Sequence, residues 1–187
     1  GGSAERRGVI ATCNYEARAY GVRSAMPSRQ ALQLCPDLLI VKPRMDAYKA
    51  VSQEIHGIFR DYTDLIEPLS LDEAYLDVSA CSHFAGSATR IADAIRRRVA
   101  RELRITVSAG VAPNKFLAKM ASDWQKPNGL FVITPAQIDE FVLALPVAKL
   151  HGVGKVTGQR LGRMGIQTCA QLREWSKPAL AREFGSF

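Results

Sequence analysis

The stretch Leu69–Val78, with the sequence LSLDEAYLDV, places two adjacent carboxylates between two short runs of apolar and β-prone residues. This pattern predicts a strand, a tight reversal and a second strand, with Asp72 and Glu73 at the reversal. Two neighbouring anions repel each other, so such a pair usually has a divalent cation, a basic side chain or solvent as its partner. A solvated hairpin tip is the alternative that this stretch alone leaves open.

The composition indicates an ordinary globular protein with an excess of positive charge. The 187 residues are 47% hydrophobic, and the formal net charge is +7 with a pI near 9.5. Such a balance favours a polyanionic partner, most often nucleic acid. Four widely spaced cysteines without a C-x-x-C pair favour free thiols in a reducing compartment, and three scattered histidines suggest no zinc site. No apolar run is long enough to span a bilayer and no secretory leader is visible, so we expect a cytoplasmic protein without a membrane partner.

The segments on either side of the hairpin predict two long amphipathic helices, over about 46–62 and 87–103. The first helix would bury one face, formed by Tyr48, Val51, Ile55, Ile58, Phe59 and Tyr62. The second would bury a stripe formed by Ile91, Ile95, Val99 and Leu103. Strands are predicted at 66–71, 74–78 and 105–111, which makes the order helix, strand, strand, helix, strand.

This order is that of a ferredoxin-like split βαβ sheet without its opening strand. That strand would lie beside a hairpin strand, in the middle of the sheet. Either residues 8–12 or residues 38–41 take its place, or the strand is absent from this chain. The sequence therefore predicts an α+β fold, with a ferredoxin-like sheet covered by helices on one face.

The remaining segments predict short elements. A helix is expected over 28–34, another from Pro113, a turn at 126–129 and a strand at 130–133. Thr134-Pro135-Ala136-Gln137 then has proline at the first helical position and a glutamine placed for a capping box. From this point to the end, all elements are predicted to be helical and short.

A glycine-rich turn lies between two of these short helices, in the sequence LHGVGK at 150–155. Gly152 and Gly154 would let backbone N–H groups approach a phosphate at the start of a helix that carries Lys155 and Arg160. We therefore predict a helix-hairpin-helix that binds the DNA backbone, with a plain turn between two helices as the alternative.

Taken together, these motifs resemble those of Y-family translesion DNA polymerases, most closely the DinB type. The segments that carry the resemblance are NYEAR at 14–18, GVRSAMP at 21–27, SLDEAYLD at 70–77, SAGVAPNKFLAK at 108–119, SDWQKPNG at 122–129 and GVGK at 152–155. The resemblance covers the whole chain, in order. It implies a small fingers lobe at 1–42, most of the palm at 43–134 and the start of a helical thumb at 135–187.

The resemblance also implies roles for individual residues. Asp72 and Glu73 match the family's catalytic carboxylates, which hold two divalent ions, Mg²⁺ or Mn²⁺. Tyr15 and Arg18 match fingers residues that contact the incoming triphosphate, and Lys126 matches a palm lysine that does the same. The structural alternatives are a packed aromatic ring, a solvated surface charge and an ordinary turn residue, respectively.

Two departures from the family pattern concern the ends of the chain. The family begins with a strand that carries a further metal-binding aspartate, and residues 1–7 do not match it. The chain ends inside the thumb, without the family's C-terminal little-finger domain. We therefore expect weak binding to primer–template DNA and little or no polymerase activity from this chain alone. In the intact parent, deoxynucleoside triphosphate and a sliding clamp would be further partners.

Three other functions compete with this hypothesis. The main alternative is a non-catalytic DNA-binding remnant of a polymerase, which would bind DNA without Mg²⁺. A nucleotide cyclase would need a purine-binding pattern of its own, which we do not find. An RNA-binding sheet would display aromatic residues on its strands, and the predicted strand at 105–111 has none.

Overall fold

The computed structural model describes residues 1–185, which belong to two compact units, Gly1–Ser52 and Gln53–Phe187. In the first unit, helices α1 (Tyr15–Ala19) and α2 (Ser28–Leu34) surround a small core. Its buried residues are Ile10, Ala17, Val22 and Ala31. Asn14 begins α1, because its side-chain oxygen accepts a hydrogen bond from the Ala17 N–H at 3.0 Å.

Neither of the two runs considered for the opening strand of the sheet forms a strand. Val9 makes only an isolated bridge to Pro27, and residues 38–41 adopt no regular structure. In the described part of the chain, the predicted ferredoxin-like sheet is therefore divided into two separate two-stranded sheets. The α+β class is confirmed, whereas the continuous sheet is not formed because no described segment pairs between its two halves.

The first sheet is the predicted hairpin. Strands β1 (Ile66–Pro68) and β2 (Ala74–Leu76) are antiparallel, and both are shorter than predicted. Helix α3 (Met45–Arg60) precedes the hairpin and helix α4 (Ala88–Leu103) follows it. Ser87 begins α4, since its Oγ accepts a hydrogen bond from the Arg90 N–H.

The apolar stripes of α3 and α4 meet in one core against the hairpin. Its buried residues are Ile58, Ile91, Ile95 and Val99, with Leu76 and Leu103 among the half-buried ones. The predicted stripe of α4 is thereby confirmed. On α3, Tyr48 is predicted to be buried but is 46% exposed, because it lies nearly three turns before Ile58, outside this core.

The second sheet pairs β3 (Ala109–Val111) in parallel with β4 (Leu130–Val132). Helix α5 (Lys115–Trp124) connects the two strands. Gly110 allows α5 to approach closely, because a Cβ there would fall on the Ala118 carbonyl oxygen and the Ser122 nitrogen. This contact fixes α5 against β3.

The C-terminal part is helical, as predicted, and its elements are short. The helices are α6 (Ile138–Ala144), α7 (Lys155–Arg163), α8 (Cys169–Arg173) and α9 (Lys177–Phe184). The capping box is present, since Gln137 Oε1 accepts a hydrogen bond from the Thr134 N–H at 3.1 Å. A core that includes Leu145, Val147 and Leu161 holds these helices together. Within residues 1–185, no helix has both the length and the apolar character needed to cross a bilayer.

Candidate functional site

The two adjacent carboxylates lie in the reversal that joins β1 to β2. The reversal is tight, because the Glu73 carbonyl accepts hydrogen bonds from the N–H groups of Leu69 at 2.8 Å and Ser70 at 3.3 Å. Asp72 is exposed and Glu73 is half-buried. The prediction that the hairpin places both acids at its tip is confirmed.

Each of the two acids has a polar partner. The Ser70 hydroxyl donates a hydrogen bond to Asp72 Oδ1 at 2.6 Å, within the reversal itself. Glu73 Oε1 is ion-paired with Lys119 Nζ at 2.6 Å, and the Lys119 side chain is only 12% exposed. Repulsion between the acids is therefore reduced by a basic side chain from α5, one of the three kinds of partner that the sequence left open.

Lys119 is a site residue that sequence reasoning did not single out. Lys115 lies one turn earlier on α5 and forms an ion pair with Glu67, on β1. Two lysines at i and i+4 on one helix thus meet two glutamates of the hairpin. This spacing was visible in the sequence, but it does not identify the partners, which lie 48 and 46 residues away.

The chemistry of the acid pair suits Mg²⁺ or Mn²⁺, because carboxylate oxygens are the ligands that such hard cations prefer. The number of ligands is small, however. Within residues 1–185, no three or more side chains of the His, Cys, Asp and Glu types come together as a potential metal cluster. Asp72 and Glu73 thus fit as part of a ligand set, and Glu73 would have to share its carboxylate with Lys119.

Tyr15 and Arg18 lie together in the first unit. Tyr15 is the first residue of α1 and is 53% exposed, and the Arg18 guanidinium carbon lies 5.4 Å from the centre of its ring. Arg18 Nε also donates a hydrogen bond to the Cys13 carbonyl at 3.2 Å. The two side chains present a cation and a phenol side by side, a combination that can bind phosphate oxygens.

Lys126 lies in the second unit, in the turn between α5 and β4. Its Nζ is 2.6 Å from Asp123 Oδ1, and both side chains are about half exposed. The C-terminal end of the turn is held by β3, because the Ala109 N–H donates a hydrogen bond to the Gly129 carbonyl at 2.9 Å. Lys126 is therefore an accessible cation on an anchored turn.

The glycine-rich turn has the geometry predicted for a helix-hairpin-helix. Gly152 has a φ of +90°, in the region that favours glycine, and Gly154 caps α7 without a side chain. Lys155 is the first residue of α7 and is exposed. Arg160 is engaged elsewhere, since its Nη2 lies 3.1 Å from Glu183 Oε2 and its guanidinium carbon 4.8 Å from the ring centre of Phe184.

The sequence profile of the impB/mucB/samB family matches residues 1–123, and that of the thumb domain of DNA polymerase-iota matches residues 148–186. The first match covers well over half of the chain. The chain belongs to the impB/mucB/samB family. The second match supports the helix-hairpin-helix at 150–155. The resemblance to Y-family polymerases of the DinB type is confirmed by both matches and by the similar proteins and solved structures described next.

Among these relatives, the DNA polymerase IV of Ectopseudomonas mendocina (strain ymp) is 80% identical over 187 residues, which are 100% of this chain and 53% of the relative. The DNA polymerase IV of Pseudomonas aeruginosa (strain UCBPP-PA14) is 78% identical over the same length, which is 54% of that protein. The chain thus spans about half the length of the curated relatives it matches.

Solved structures of the same type share the fold. The crystal structure of DinB from Sulfolobus solfataricus is similar with a TM-score of 0.88 and 37% identity, over 96% of this chain and 53% of that one. The insertion ternary complex of Dbh DNA polymerase is similar with the same TM-score, identity and coverage. The mixed fold of small sheets and helices in this family member is therefore that of Y-family polymerase domains.

Proposed function

We propose that this chain supplies the fingers, the palm and the start of the thumb of a template-directed DNA polymerase that copies damaged DNA. In this proposal the fingers are residues 1–42, the palm residues 43–134 and the thumb residues 135–187. The observation that carries it is the acid pair Asp72–Glu73, held at a hairpin reversal against α5 in a chain whose first 123 residues match the family.

The acid pair would hold the divalent cations, Mg²⁺ or Mn²⁺, that the polymerase reaction uses. When bound, such cations lower the pKa of the primer 3′-hydroxyl and stabilise the triphosphate and the leaving pyrophosphate. Ser70 orients the Asp72 carboxylate through its hydrogen bond to Oδ1, and this bond leaves the Oδ2 atom available as a ligand. Lys119 orients Glu73 in the same way from α5.

Three further side chains would contact the incoming deoxynucleoside triphosphate. Tyr15 and Arg18 offer a hydroxyl donor and a guanidinium, and Lys126 offers an ammonium group. All three can donate hydrogen bonds to phosphate oxygens, and Arg18 and Lys126 can also neutralise part of the negative charge there. Lys126 would exchange its present partner, Asp123, for a phosphate.

The primer–template DNA would be bound through its backbone at the glycine-rich turn. Gly152 and Gly154 leave the backbone at the start of α7 uncovered by side chains, and Lys155 adds a positive charge there. Arg160 contributes less direct contact in this proposal, because Glu183 and Phe184 already hold its side chain. For the intact polymerase we propose a sliding clamp as a further partner and the bacterial cytoplasm as its location.

Nucleotide binding tests this proposal without requiring that the chain be active. The affinity of the purified chain for dATP would be measured by calorimetry, with and without Mg²⁺. We expect Mg²⁺ to strengthen binding in the unchanged chain and in Asp64→Asn, but not in Asp72→Asn. Asp64 is a suitable control because it is an exposed carboxylate just before β1. Equal Mg²⁺ dependence in both variants would refute the role of the acid pair.

The alternative of a non-catalytic DNA-binding remnant is favoured by two observations. Glu73 is already neutralised by Lys119, and no third potential metal ligand joins the acid pair in the described residues. This alternative predicts salt-sensitive DNA binding that persists in EDTA and in Asp72→Ala, with no Mg²⁺-dependent nucleotide binding. Lys155→Ala should weaken DNA binding under either proposal, and unchanged binding would refute the assignment of the glycine-rich turn.

A further inference from the structure

Arg96, on α4, donates hydrogen bonds to three residues, Asp93, Val107 and Asn128. Its side chain is 14% exposed, whereas that of the neighbouring Arg97 is 79% exposed. Both arginines share Asp93 as an ion-pair partner, through Arg96 Nη1 at 3.2 Å and Arg97 Nε at 2.9 Å. Burial of a guanidinium is costly unless each of its donors finds an acceptor.

The other donors of Arg96 reach segments far away in the sequence. Its Nε donates a hydrogen bond to the Val107 carbonyl at 3.3 Å, just before β3. Its Nη2 donates to both oxygens of Asn128, the backbone carbonyl and, at 3.0 Å, the side-chain Oδ1. Arg96 thus joins α4, the chain entering β3 and the turn that precedes β4.

The turn that Arg96 contacts is the one that carries Lys126, two residues before Asn128. Asn128 has a φ of +51°, in the left-handed region, so its conformation needs support from neighbouring groups. At the next residue the Gly129 N–H donates a hydrogen bond to Ser108 Oγ at 3.2 Å. The part of the turn that follows Lys126 is therefore held by Arg96 at Asn128 and by Ser108 at Gly129.

We propose that Arg96 is a positioning residue for triphosphate binding, which fixes the turn 125–129 through Asn128 so that Lys126 meets the phosphates. The inference rests on the proposed nucleotide-binding role of Lys126. Arg96 itself does not contact the nucleotide in this account. Its planar guanidinium, with donors in a fixed fork, can join three segments at once, whereas a lysine ammonium cannot match that geometry.

The test compares dATP–Mg²⁺ binding by the full chain in five forms: unchanged, Arg96→Met, Arg97→Met, Lys126→Ala and the double variant Arg96→Met/Lys126→Ala. We expect Arg96→Met to raise the Kd roughly tenfold, the scale of one lost charge-assisted contact. Arg97→Met is the matched control, since it removes one charge from the same helix without touching the turn, and we expect less than a twofold change.

The double variant separates positioning from a general structural role. If Arg96 acts through Lys126, Arg96→Met should weaken binding no further once Lys126 is alanine, and an additive effect would overturn the inference. Lys126→Ala without any effect of its own would refute the proposed role of Lys126 instead. Arg96→Lys should bind dATP–Mg²⁺ only partly better than Arg96→Met, because a lysine keeps the charge but cannot form the same set of hydrogen bonds. Full recovery of the affinity would show that only the charge at position 96 matters, and would overturn the positioning role.

A second readout covers the case in which Arg96→Met disturbs the fold. Asn128→Gly keeps the left-handed backbone conformation but removes Oδ1, so it weakens the same contact more gently. We expect faster amide hydrogen exchange at 125–130 in Asn128→Gly, together with a Kd that rises about two- to threefold. Faster exchange with an unchanged Kd would show that the order of the turn does not matter to binding, and would overturn the proposal.

Discussion

The acidic hairpin and the glycine-rich turn of the helical region are built in opposite ways. At the hairpin, charged side chains find partners across the chain, since Lys119 and Glu73 are 46 residues apart and Lys115 and Glu67 are 48 apart. At 150–155, backbone groups and glycines form the surface, and the core beneath it comes mostly from residues 141–184, with Met120 of α5 as the exception. The first site depends on the packing of α5, and the second depends mainly on local sequence.

The largest loss of stability is expected for Gly110→Ala, on the strand that supports α5. A Cβ would strike backbone atoms of α5, which cannot yield as a flexible side chain does. We expect a loss of about 4 kcal/mol in the free energy of unfolding, above the usual cost of overpacking. Denaturant titration followed by circular dichroism measures it. A loss below 1 kcal/mol would show that α5 is not held in place by this contact.

The corresponding test in the helical region is Leu161→Ala. Leu161 is 4% exposed and packs in the same core as Leu145 and Val147. We expect a loss of about 3 kcal/mol from the cavity that remains, with the ion pairs of the hairpin unaffected. Chemical unfolding gives the loss, and NMR shifts of the Leu69 and Ser70 amides report on the hairpin, because Lys119 is itself next to Met120 of the same core. Shifts at these two amides as large as those at Leu145 would show that the two regions are coupled through α5.

A smaller effect is expected from Lys119→Met, with Lys115→Met as its control. Each variant removes one ion pair to the hairpin, and we expect losses of about 1 kcal/mol or less because the glutamates are partly solvated. Only Lys119→Met should increase the affinity for Mn²⁺, since it frees the Glu73 carboxylate. Calorimetric titration with Mn²⁺ distinguishes the two variants, and an equal gain in both would remove the special role of Lys119.

Gly162→Ala, near the end of α7, is expected to increase the free energy of unfolding instead of lowering it. A Cβ at this position meets no atom within 4 Å, and its backbone φ is not in the left-handed region. Because alanine favours the helix over glycine, we expect a gain of about 0.7 kcal/mol. The same substitution thus stabilises one region and destabilises the other, and thermal unfolding of Gly110→Ala and Gly162→Ala side by side measures the contrast.

The smallest perturbation is chemical rather than mutational. Cys169 is buried, whereas Cys13, Cys35 and Cys81 are half-buried. Burial raises the pKa of the Cys169 thiol. At pH 8 less of Cys169 is present as the reactive thiolate, so we expect it to be alkylated last by iodoacetamide. Mass spectrometry of the modified peptides gives the order. Early labelling of Cys169 would show that the core around Leu145 opens readily.

The sequence predicted the elements whose signals are local. The stripe of α4, the capping box at Thr134 and the reversal at Asp72–Glu73 are all confirmed, because period, caps and turns are set by near neighbours. The prediction that Tyr48 is buried is wrong, because helical periodicity indicates a face but not how far along the helix the core extends.

The missed parts of the site are those that depend on tertiary structure. Lys119 and Arg96 were visible as basic residues on helices, but their partners lie 46 and 32 residues away. The division of the sheet into two pairs agrees with one of the three alternatives that the sequence left open, in which neither 8–12 nor 38–41 supplies the opening strand, but the sequence did not decide between them. Hydrogen bonds and ion pairs between residues this far apart in the sequence become visible only once the helices have been placed.

The central claim is that the hairpin acids form a cation site, and paramagnetic relaxation by Mn²⁺ tests it most directly. Trace Mn²⁺ would be added to the isotope-labelled chain while amide signals are followed by NMR. We predict that the amides of residues 70–74 broaden first, and that this broadening is lost in Asp72→Asn but retained in Asp64→Asn. Broadening that begins elsewhere, or that survives Asp72→Asn at residues 70–74, would contradict the claim.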